Sequence, residues 1–77
     1  MHAIVYLEDS EYIALCDLLK LAGLVNSGGQ AKAFIAEEQV MRNGKIETRK
    51  TAKIRGGEMI EFNGYLLEIT NGNDPEA

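Results

Sequence analysis

The chain has little of what a secreted or membrane-inserted protein needs. Its 77 residues include one cysteine, Cys16, so no disulfide can form within the chain, although small secreted domains usually depend on several. No apolar run approaches the roughly 20 residues that span a bilayer, and the N-terminus lacks the features of a signal peptide. We therefore expect an intracellular, cytoplasmic protein that has no contact with a membrane.

Catalytic and metal-binding groups are equally scarce. The single histidine, His2, lies near the N-terminus, and Cys16 falls in an apolar segment where it should pack as a small hydrophobic residue. This pair cannot complete a usual zinc site, and the acids do not form a calcium-binding loop pattern. No Walker-type Gly-Lys-Ser/Thr pattern favours nucleotide hydrolysis. We expect neither an enzyme nor a cofactor.

Basic residues are absent from both ends of the chain. All eight lysines and arginines fall between Lys20 and Arg55, the flanking segments carry only acids, and the formal net charge is −4. Attraction to phosphate depends on the local field, so a compact cationic stripe can bind nucleic acid even on an acidic protein. The net charge therefore does not exclude an RNA ligand.

Hydrophobic spacing predicts a strand followed by a helix. The β-branched and aromatic run at residues 2–7 favours a strand. Ser10 then precedes residues 12–22, whose leucines follow helical spacing, and Gly23 provides a stop. We expect the first helix to occupy this segment.

A second helix is predicted to begin at Ser27. Ser27 and Gln30 have the capping-box arrangement, and Lys32 should face solvent. Gly28 and Gly29 would also expose backbone N–H donors at the positive end of the helix dipole, where an anion can bind. A capped helix start explains the same residues without any ligand. Because the link between the helices is short, they should pack as a pair.

Two Asn-Gly pairs predict β-hairpins. Asn43-Gly44 and Asn63-Gly64 each separate two short runs of alternating polarity, and Asn-Gly tolerates the positive φ angles of a tight hairpin turn. Gly56-Gly57 predicts a further turn before the second hairpin. Residues 48–55 should form a strand-like connection that presents basic side chains.

A cluster of cations carries the functional hypothesis. The cluster consists of six cations within fourteen residues, namely Arg42, Lys45, Arg49, Lys50, Lys53 and Arg55. Glu47 is the one acid between Arg42 and Arg55, and no aromatic residue lies in this stretch of sequence. Such a cluster can contact successive phosphates, although it could also merely solubilise a strand edge. Because readers of single strands usually interleave aromatics with cations, the pattern favours backbone and shape recognition of structured RNA.

Five segments follow one another in a recognisable order. They are Leu15-Cys-Asp-Leu-Leu-Lys-Leu-Ala-Gly-Leu24, Ser27-Gly-Gly-Gln-Ala-Lys32, Phe34-Ile-Ala-Glu-Glu-Gln-Val40, Arg42-Asn-Gly-Lys45 and Ile54-Arg-Gly-Gly-Glu-Met-Ile60. Together they resemble the alpha-L RNA-binding motif, the small domain named after bacterial small-subunit ribosomal protein four. Through Leu15–Leu21 and Glu47-Thr-Arg-Lys50 the chain is most similar to the stand-alone YbcJ-like members.

The resemblance implies an α+β fold, with two packed helices against a small, mostly antiparallel sheet. It also implies that RNA lies along the start of the second helix and the following strand-turn region. Together with the charge pattern, it makes the expected RNA-binding residues Ser27, Gln30, Lys32, Arg42, Asn43, Lys45, Arg49, Lys50, Lys53 and Arg55. Gly28 stands where many members have Arg, which should weaken the helix-end contact. Glu38 stands where many have Gly, and its charge should repel phosphate.

We therefore expect residues 1–70 to form a single RNA-binding domain and residues 71–77 to form a polar, flexible tail. The expected function is non-catalytic recognition of structured RNA through backbone phosphate contacts, with ribosomal RNA as the candidate ligand. The alternative is a protein-interaction module whose cations dock an acidic partner, for example a ribosome-assembly protein.

Overall fold

Two helices pack against a five-stranded sheet in the computed structural model, which describes residues 1–73. The helices are α1 (Leu15–Leu21) and α2 (Gly28–Ala36). The strands are β1 (His2–Tyr6), β2 (Ile13–Ala14), β3 (Val40–Arg42), β4 (Lys45–Ile46), β5 (Lys53–Ile54), β6 (Met59–Phe62) and β7 (Tyr65–Thr70). Residues 74–77 of the predicted tail lie outside the described residues. No helix within residues 1–73 is long and apolar enough to cross a membrane.

The sheet is mostly antiparallel, as predicted. Its strand order is β1-β7-β6-β3-β4, and within residues 1–73 the β1–β7 pair is the one parallel pair of this sheet. Strands β2 and β5 form a separate antiparallel ribbon. Both predicted hairpins are confirmed: φ is 52° at Asn43 and at Asn63, and it is 84° and 82° at the glycines that follow them. Positive φ at both central positions matches the twist of the paired strands.

The hydrophobic core lies between the sheet and the helices. The predicted helical spacing is confirmed, because Leu15, Leu18 and Leu19 are fully buried in one cluster with Ile35 of α2. Cys16 is also buried and packs as a small hydrophobic residue. Helix α2 therefore packs on α1, and both cover the inner face of the sheet.

Helix α1 begins later than predicted. The expected start near Ser10 was wrong, because Ile13 and Ala14 form β2 and Ala14 makes no side-chain capping bond. The first backbone N–H groups of α1 instead donate to carbonyl oxygens from a loop far away in the sequence. The N–H of Leu15 donates to Ala52 at 2.9 Å, and the N–H of Cys16 donates to Lys50 at 3.1 Å. A helix start held by a distant loop leaves no local capping signal.

Helix α2 begins as predicted. The Ser27 hydroxyl accepts a bond from the Gln30 N–H at 3.1 Å, and the Gln30 side-chain oxygen accepts one from the Asn26 N–H at 2.6 Å. The cap therefore satisfies the Gln30 N–H, which has no partner within the helix, and the Asn26 N–H just before the helix. Lys32 is exposed, as the sequence indicated.

Helix α2 ends without a glycine. Glu38 adopts the left-handed conformation with φ of 63°, its N–H donates to Ile35 at 3.1 Å, and the N–H of Gln39 donates to Phe34 at 3.2 Å. These two bonds form a Schellman motif, whose left-handed position normally favours glycine. The backbone geometry gives a physical reason why glycine suits this position.

The described start of the predicted tail is bonded to the domain. The N–H of Glu8 donates to the carbonyl oxygen of Gly72 at 2.8 Å, next to the β1–β7 pair. The division into a domain at 1–70 and a tail at 71–77 stays a prediction.

Candidate nucleic-acid interface

Residues 48–52, here called the basic loop, connect β4 to the β2–β5 ribbon. The N–H of Ala52 donates to the carbonyl oxygen of Arg49 at 3.2 Å and closes a turn within the loop. The carbonyl oxygens of Lys50 and Ala52 accept the two bonds from the start of α1. The predicted strand-like connection at 48–55 therefore forms strand only at Lys53 and Ile54. The backbone bonds fix the loop while the Arg49 and Lys50 side chains remain exposed.

An open concavity of about 910 Å³, here called the basic concavity, lies beside the basic loop. It is lined by Lys32, Arg42, Thr48, Arg49, Lys50, Thr51, Ala52, Lys53 and Arg55. Six of these nine residues are cations, and α2, β3, the basic loop and the β5 region all contribute to them. The local potential is therefore positive although the chain as a whole is acidic.

A second depression of about 560 Å³ adjoins the first, because Arg42 and Arg49 line both. This depression also contains Asn43 and Lys45 at the first hairpin turn, together with Glu47. The structure thus brings Asn43 and Lys45 to the border of the basic concavity. Neither depression is lined by Ser27 or Gln30, whose side-chain oxygens are engaged in the cap of α2.

Arg42 is held by its neighbours on several sides. Its guanidinium donates to Glu58 through Nε at 2.7 Å and through Nη2 at 3.0 Å, and to Glu47 through Nη1 at 3.1 Å. Nη2 also donates to the carbonyl oxygen of Lys53 at 2.9 Å. The hydrogen bonds to Glu58 are the main cause that raises the pKa of Arg42. They lower the pKa of the Glu58 carboxyl in return.

Glu58 organises the turn that precedes β6. Its carboxylate accepts from the Arg55 N–H at 2.7 Å and from the Asn43 side-chain amide at 3.2 Å. Gly57 has φ of 92° in this turn, a conformation that glycine adopts without strain. The sequence interpretation missed this role of Glu58. An acid directly after the Gly-Gly turn that follows the basic cluster was the available signal.

Glu47 is a buried acid between two arginines. Its carboxylate accepts from the Arg49 N–H at 3.1 Å and from the Arg49 Nε and Nη2 at 3.2 Å, in addition to the Arg42 bond. The bonds from Arg49, with smaller help from Arg42, lower the pKa of Glu47 to about 2 against the opposing effect of burial. Glu47 thus holds the Arg42 and Arg49 side chains in place where the basic loop begins.

Lys32 and four cations of the cluster are exposed and form no ion pair with another residue of the described range 1–73. The five side chains are Lys32, Lys45, Lys50, Lys53 and Arg55. Their charges are therefore not offset by a direct protein partner in this range. A polyanion would meet these side chains with their donors unoccupied.

Among residues 1–73, one aromatic side chain lies against cations of the cluster, although no aromatic stands within the run from Arg42 to Arg55 in the sequence. The Lys53 Nζ is 5.1 Å and the Arg55 guanidinium carbon is 5.6 Å from the centroid of the Tyr12 ring. Strand pairing causes this proximity, because the β2–β5 register places the residue before Ile13 beside β5. Among residues 1–73, no three His, Cys, Asp or Glu side chains are grouped to hold a metal ion.

Comparison with known sequences identifies a matching family and two informative relatives. The family model described as S4 domain matches residues 5–70. The Escherichia coli (strain K12) protein named "Putative RNA-binding protein YbcJ" is 48% identical over 58 residues, which cover 75% of this chain and 83% of YbcJ. The Bacillus subtilis (strain 168) protein named "Probable ribosome maturation protein RlbA" is 39% identical over 57 residues, which cover 74% of this chain and 80% of RlbA.

A solved structure has the same fold. The solution structure of E. coli YbcJ, described as revealing an alpha-L motif involved in RNA-binding, superposes with a TM-score of 0.68 and 43% sequence identity. The match covers 87% of this chain and 85% of that chain. The alpha-L resemblance and the α+β arrangement drawn from the sequence are both confirmed.

Proposed function

Because this chain belongs to the S4 domain family, we propose that it is a non-catalytic RNA-binding protein that holds structured RNA in the basic concavity through phosphate contacts. The observation that carries this proposal is the convergence of Lys32, the basic loop and Arg55 on one concave surface. The name and the structure description of E. coli YbcJ, which refer to RNA binding, support the same function.

Phosphate contacts follow from the chemistry of the concavity. Exposed lysines on several elements can each neutralise a phosphate and release its bound counterions, which drives binding independently of base sequence. A folded RNA presents phosphates from two strands around a groove, and proteins recognise such RNA mainly by shape and backbone. A concave, cationic surface fits that ligand better than it fits an extended single strand.

The cations divide into two roles in this proposal. Arg42 positions the site, because Glu58, Glu47 and the Lys53 carbonyl already accept from four of its five N–H donors. Arg49 is also tied to Glu47, but its side chain is 74% exposed and Nη1 remains available. The side chains that contact phosphates in this proposal are the exposed ones without an ion pair, namely Lys32, Lys45, Lys50, Lys53 and Arg55.

Three other expected contacts have local structural roles. The Asn43 side chain bonds to the Met59 N–H at 2.9 Å and to Glu58, and the Ser27 and Gln30 side chains cap α2. In our proposal these three side chains border the RNA. A direct contact with RNA would use the lone pairs or N–H donors that are not engaged in the bonds just described. Binding would then be weaker at the start of α2 than at the basic loop.

Salt dependence of RNA affinity tests the proposal. The Lys50→Ala/Lys53→Ala double variant should bind a structured RNA more weakly and reduce the slope of log K against log salt by about 1 to 2. Lys20→Ala is the matched control, because Lys20 is exposed in the last turn of α1 and does not line the basic concavity. Arg49→Ala is a poorer choice, since it also removes bonds to Glu47. An unchanged slope in the double variant would contradict phosphate binding here.

Ribosomal RNA is the proposed ligand class in cells. The support is the B. subtilis relative, whose name refers to ribosome maturation. Sequencing of RNA crosslinked to this protein in cytoplasmic extracts should recover ribosomal RNA or its precursors, and recovery should fall in the Lys50→Ala/Lys53→Ala variant. Recovery of unrelated RNAs alone would contradict this assignment without affecting RNA binding itself.

The alternative function is the docking of an acidic protein partner, such as a ribosome-assembly protein, on the same cations. Competition separates the two functions: unlabelled duplex RNA should displace a labelled RNA at concentrations where an acidic polypeptide of equal charge does not. The reverse order of competition would favour the protein partner.

A further inference from the structure

We propose that Tyr12 stacks against one unpaired base of the bound RNA, so that this protein prefers a helix interrupted by an unpaired nucleotide to a continuous duplex. This inference rests on the proposed RNA-binding function and adds a base contact to it. It starts from the one aromatic ring, among residues 1–73, that lies against cations lining the basic concavity.

Tyr12 is exposed and contacts two cations that line the concavity. Its residue exposure is 41%, which is high for a large aromatic residue, and its ring contacts Lys53 and Arg55, which both line the concavity. The ring therefore stands next to the side chains proposed to bind phosphate. A phosphate held by Lys53 or Arg55 would bring its own base or a neighbouring base within reach of this ring.

The backbone beneath Tyr12 is fixed. Ile13 pairs with Ile54 and Ala14 with Lys53, and Ile54 is fully buried in the core. Extending this register by one residue places Tyr12 opposite Arg55 on the same face of the ribbon. The ring is thus presented by a rigid element, and little conformational entropy is lost when it binds a base.

The combination of a ring and adjacent cations suits a nucleotide. An aromatic face stacks on any base, a contact worth about 1–3 kcal/mol, whereas neighbouring lysine and arginine side chains neutralise the phosphates. The exposed Lys53 and Arg55 side chains can swing from the ring to those phosphates while the base occupies the ring. A base in a continuous helix has its faces covered by its neighbours, so the contact requires an unpaired nucleotide.

Three two-stranded RNAs with identical ends test the inference. The first is fully paired, the second carries one adenosine bulge, and the third carries an abasic residue at the bulge, which keeps the phosphate and removes the base. The wild-type protein should bind the adenosine bulge about 5- to 100-fold more tightly than the abasic bulge. Equal affinity for these two RNAs would overturn the inference.

Variants of Tyr12 assign the preference to the ring. Tyr12→Phe should retain it, whereas Tyr12→Leu should bind both bulged RNAs equally while its affinity for the fully paired RNA stays within about twofold of wild type. A preference that persists in Tyr12→Leu would overturn the role of Tyr12. If the fully paired RNA is bound with normal salt dependence but the bulge preference is missing, the base contact fails and the proposed function stands. If none of the RNAs is bound, both fail.

Fluorescence gives a second readout that does not depend on affinity. The chain contains no tryptophan, so Tyr12→Trp introduces a unique fluorophore at the proposed contact. At saturating RNA, the adenosine bulge should quench this tryptophan and the abasic bulge should not. Equal quenching by both RNAs would contradict stacking at this position.

Discussion

Arg42 and Glu58 form a two-bond ion pair that joins β3 to the turn before β6. The Nε atom donates to Oε1 at 2.7 Å and the Nη2 atom to Oε2 at 3.0 Å, and the two side chains are 20% and 18% exposed. Such a fork geometry matches arginine and carboxylate specifically. Arg42, which the sequence indicated as an RNA contact, therefore has a structural role in the lining of the basic concavity.

Replacing Arg42 with lysine should destabilise the domain. Lysine cannot reproduce the planar fork and leaves Glu58, Glu47 and the Lys53 carbonyl short of donors, which should lower the free energy of unfolding by about 1–3 kcal/mol. Urea denaturation measures this change. Arg55→Lys is the control, because that exposed side chain forms no ion pair within residues 1–73, and it should shift stability by less than about 0.5 kcal/mol. Equal stability of Arg42→Lys and Arg55→Lys would contradict the structural role of Arg42.

Stability should depend on acid pH through Glu47. The folded-state pKa of Glu47, about 2, lies below its ordinary value of 4.5, so the folded state favours the ionised form. The stabilisation is complete above about pH 4.5 and is lost as the pH falls towards 2. Glu47→Gln should therefore be less stable than wild type by about 1–3 kcal/mol at pH 6, and the difference should shrink by pH 3.

Urea unfolding of both proteins across this pH range checks the prediction. The lowered pKa of Glu58 acts in the same direction, but Glu58 is present in both proteins and largely cancels in the difference. A stability difference that stays constant from pH 6 to pH 3 would contradict ionisation of Glu47 as its source.

Glu38→Gly should stabilise the protein. The Glu38 φ of 63° is strained for a residue with a Cβ, and glycine removes this strain at the cost of a more flexible unfolded chain. We expect a net gain of about 0.5–1 kcal/mol in thermal or urea unfolding. Glu38→Gln controls for charge and should gain much less, whereas Glu37→Gly, at φ of −83°, should destabilise. A gain in Glu38→Gln equal to that in Glu38→Gly would point to charge instead of backbone strain.

Local signals in the sequence predicted much of the fold. The Asn-Gly pairs specify their hairpins through the φ angles at the turn, and the Ser27 cap of α2 involves residues only a few positions apart. Buried leucines at helical spacing identified the core face of α1. Each of these features is decided by neighbours in the sequence, so the residues alone carry the information.

Features that depend on distant residues were missed. The start of α1 depends on carbonyl oxygens of Lys50 and Ala52, and no pattern near Ser10 could show that. Likewise, the cation cluster was visible as a run of charge, but the anchoring of Arg42 by Glu58 and the approach of Tyr12 to Lys53 arise from strand pairing. Sequence reasoning therefore found the charged surface but not the contacts that shape it.

RNA binding in the basic concavity is measured most directly by mapping backbone amide chemical-shift changes when duplex RNA is added to ¹⁵N-labelled protein. We predict the largest changes at residues 48–55 and at Lys32, and that these changes weaken with added salt. Glu61 lies between the buried Ile60 and Phe62 of β6, and Ile4 pairs with Glu68, which lies between the buried Leu67 and Ile69 of β7. Ile4 and Glu61 are therefore on the sheet face away from the helices, where they are exposed, and they should change little. The largest changes at Ile4 and Glu61, with none in the basic loop, would contradict RNA binding in the basic concavity.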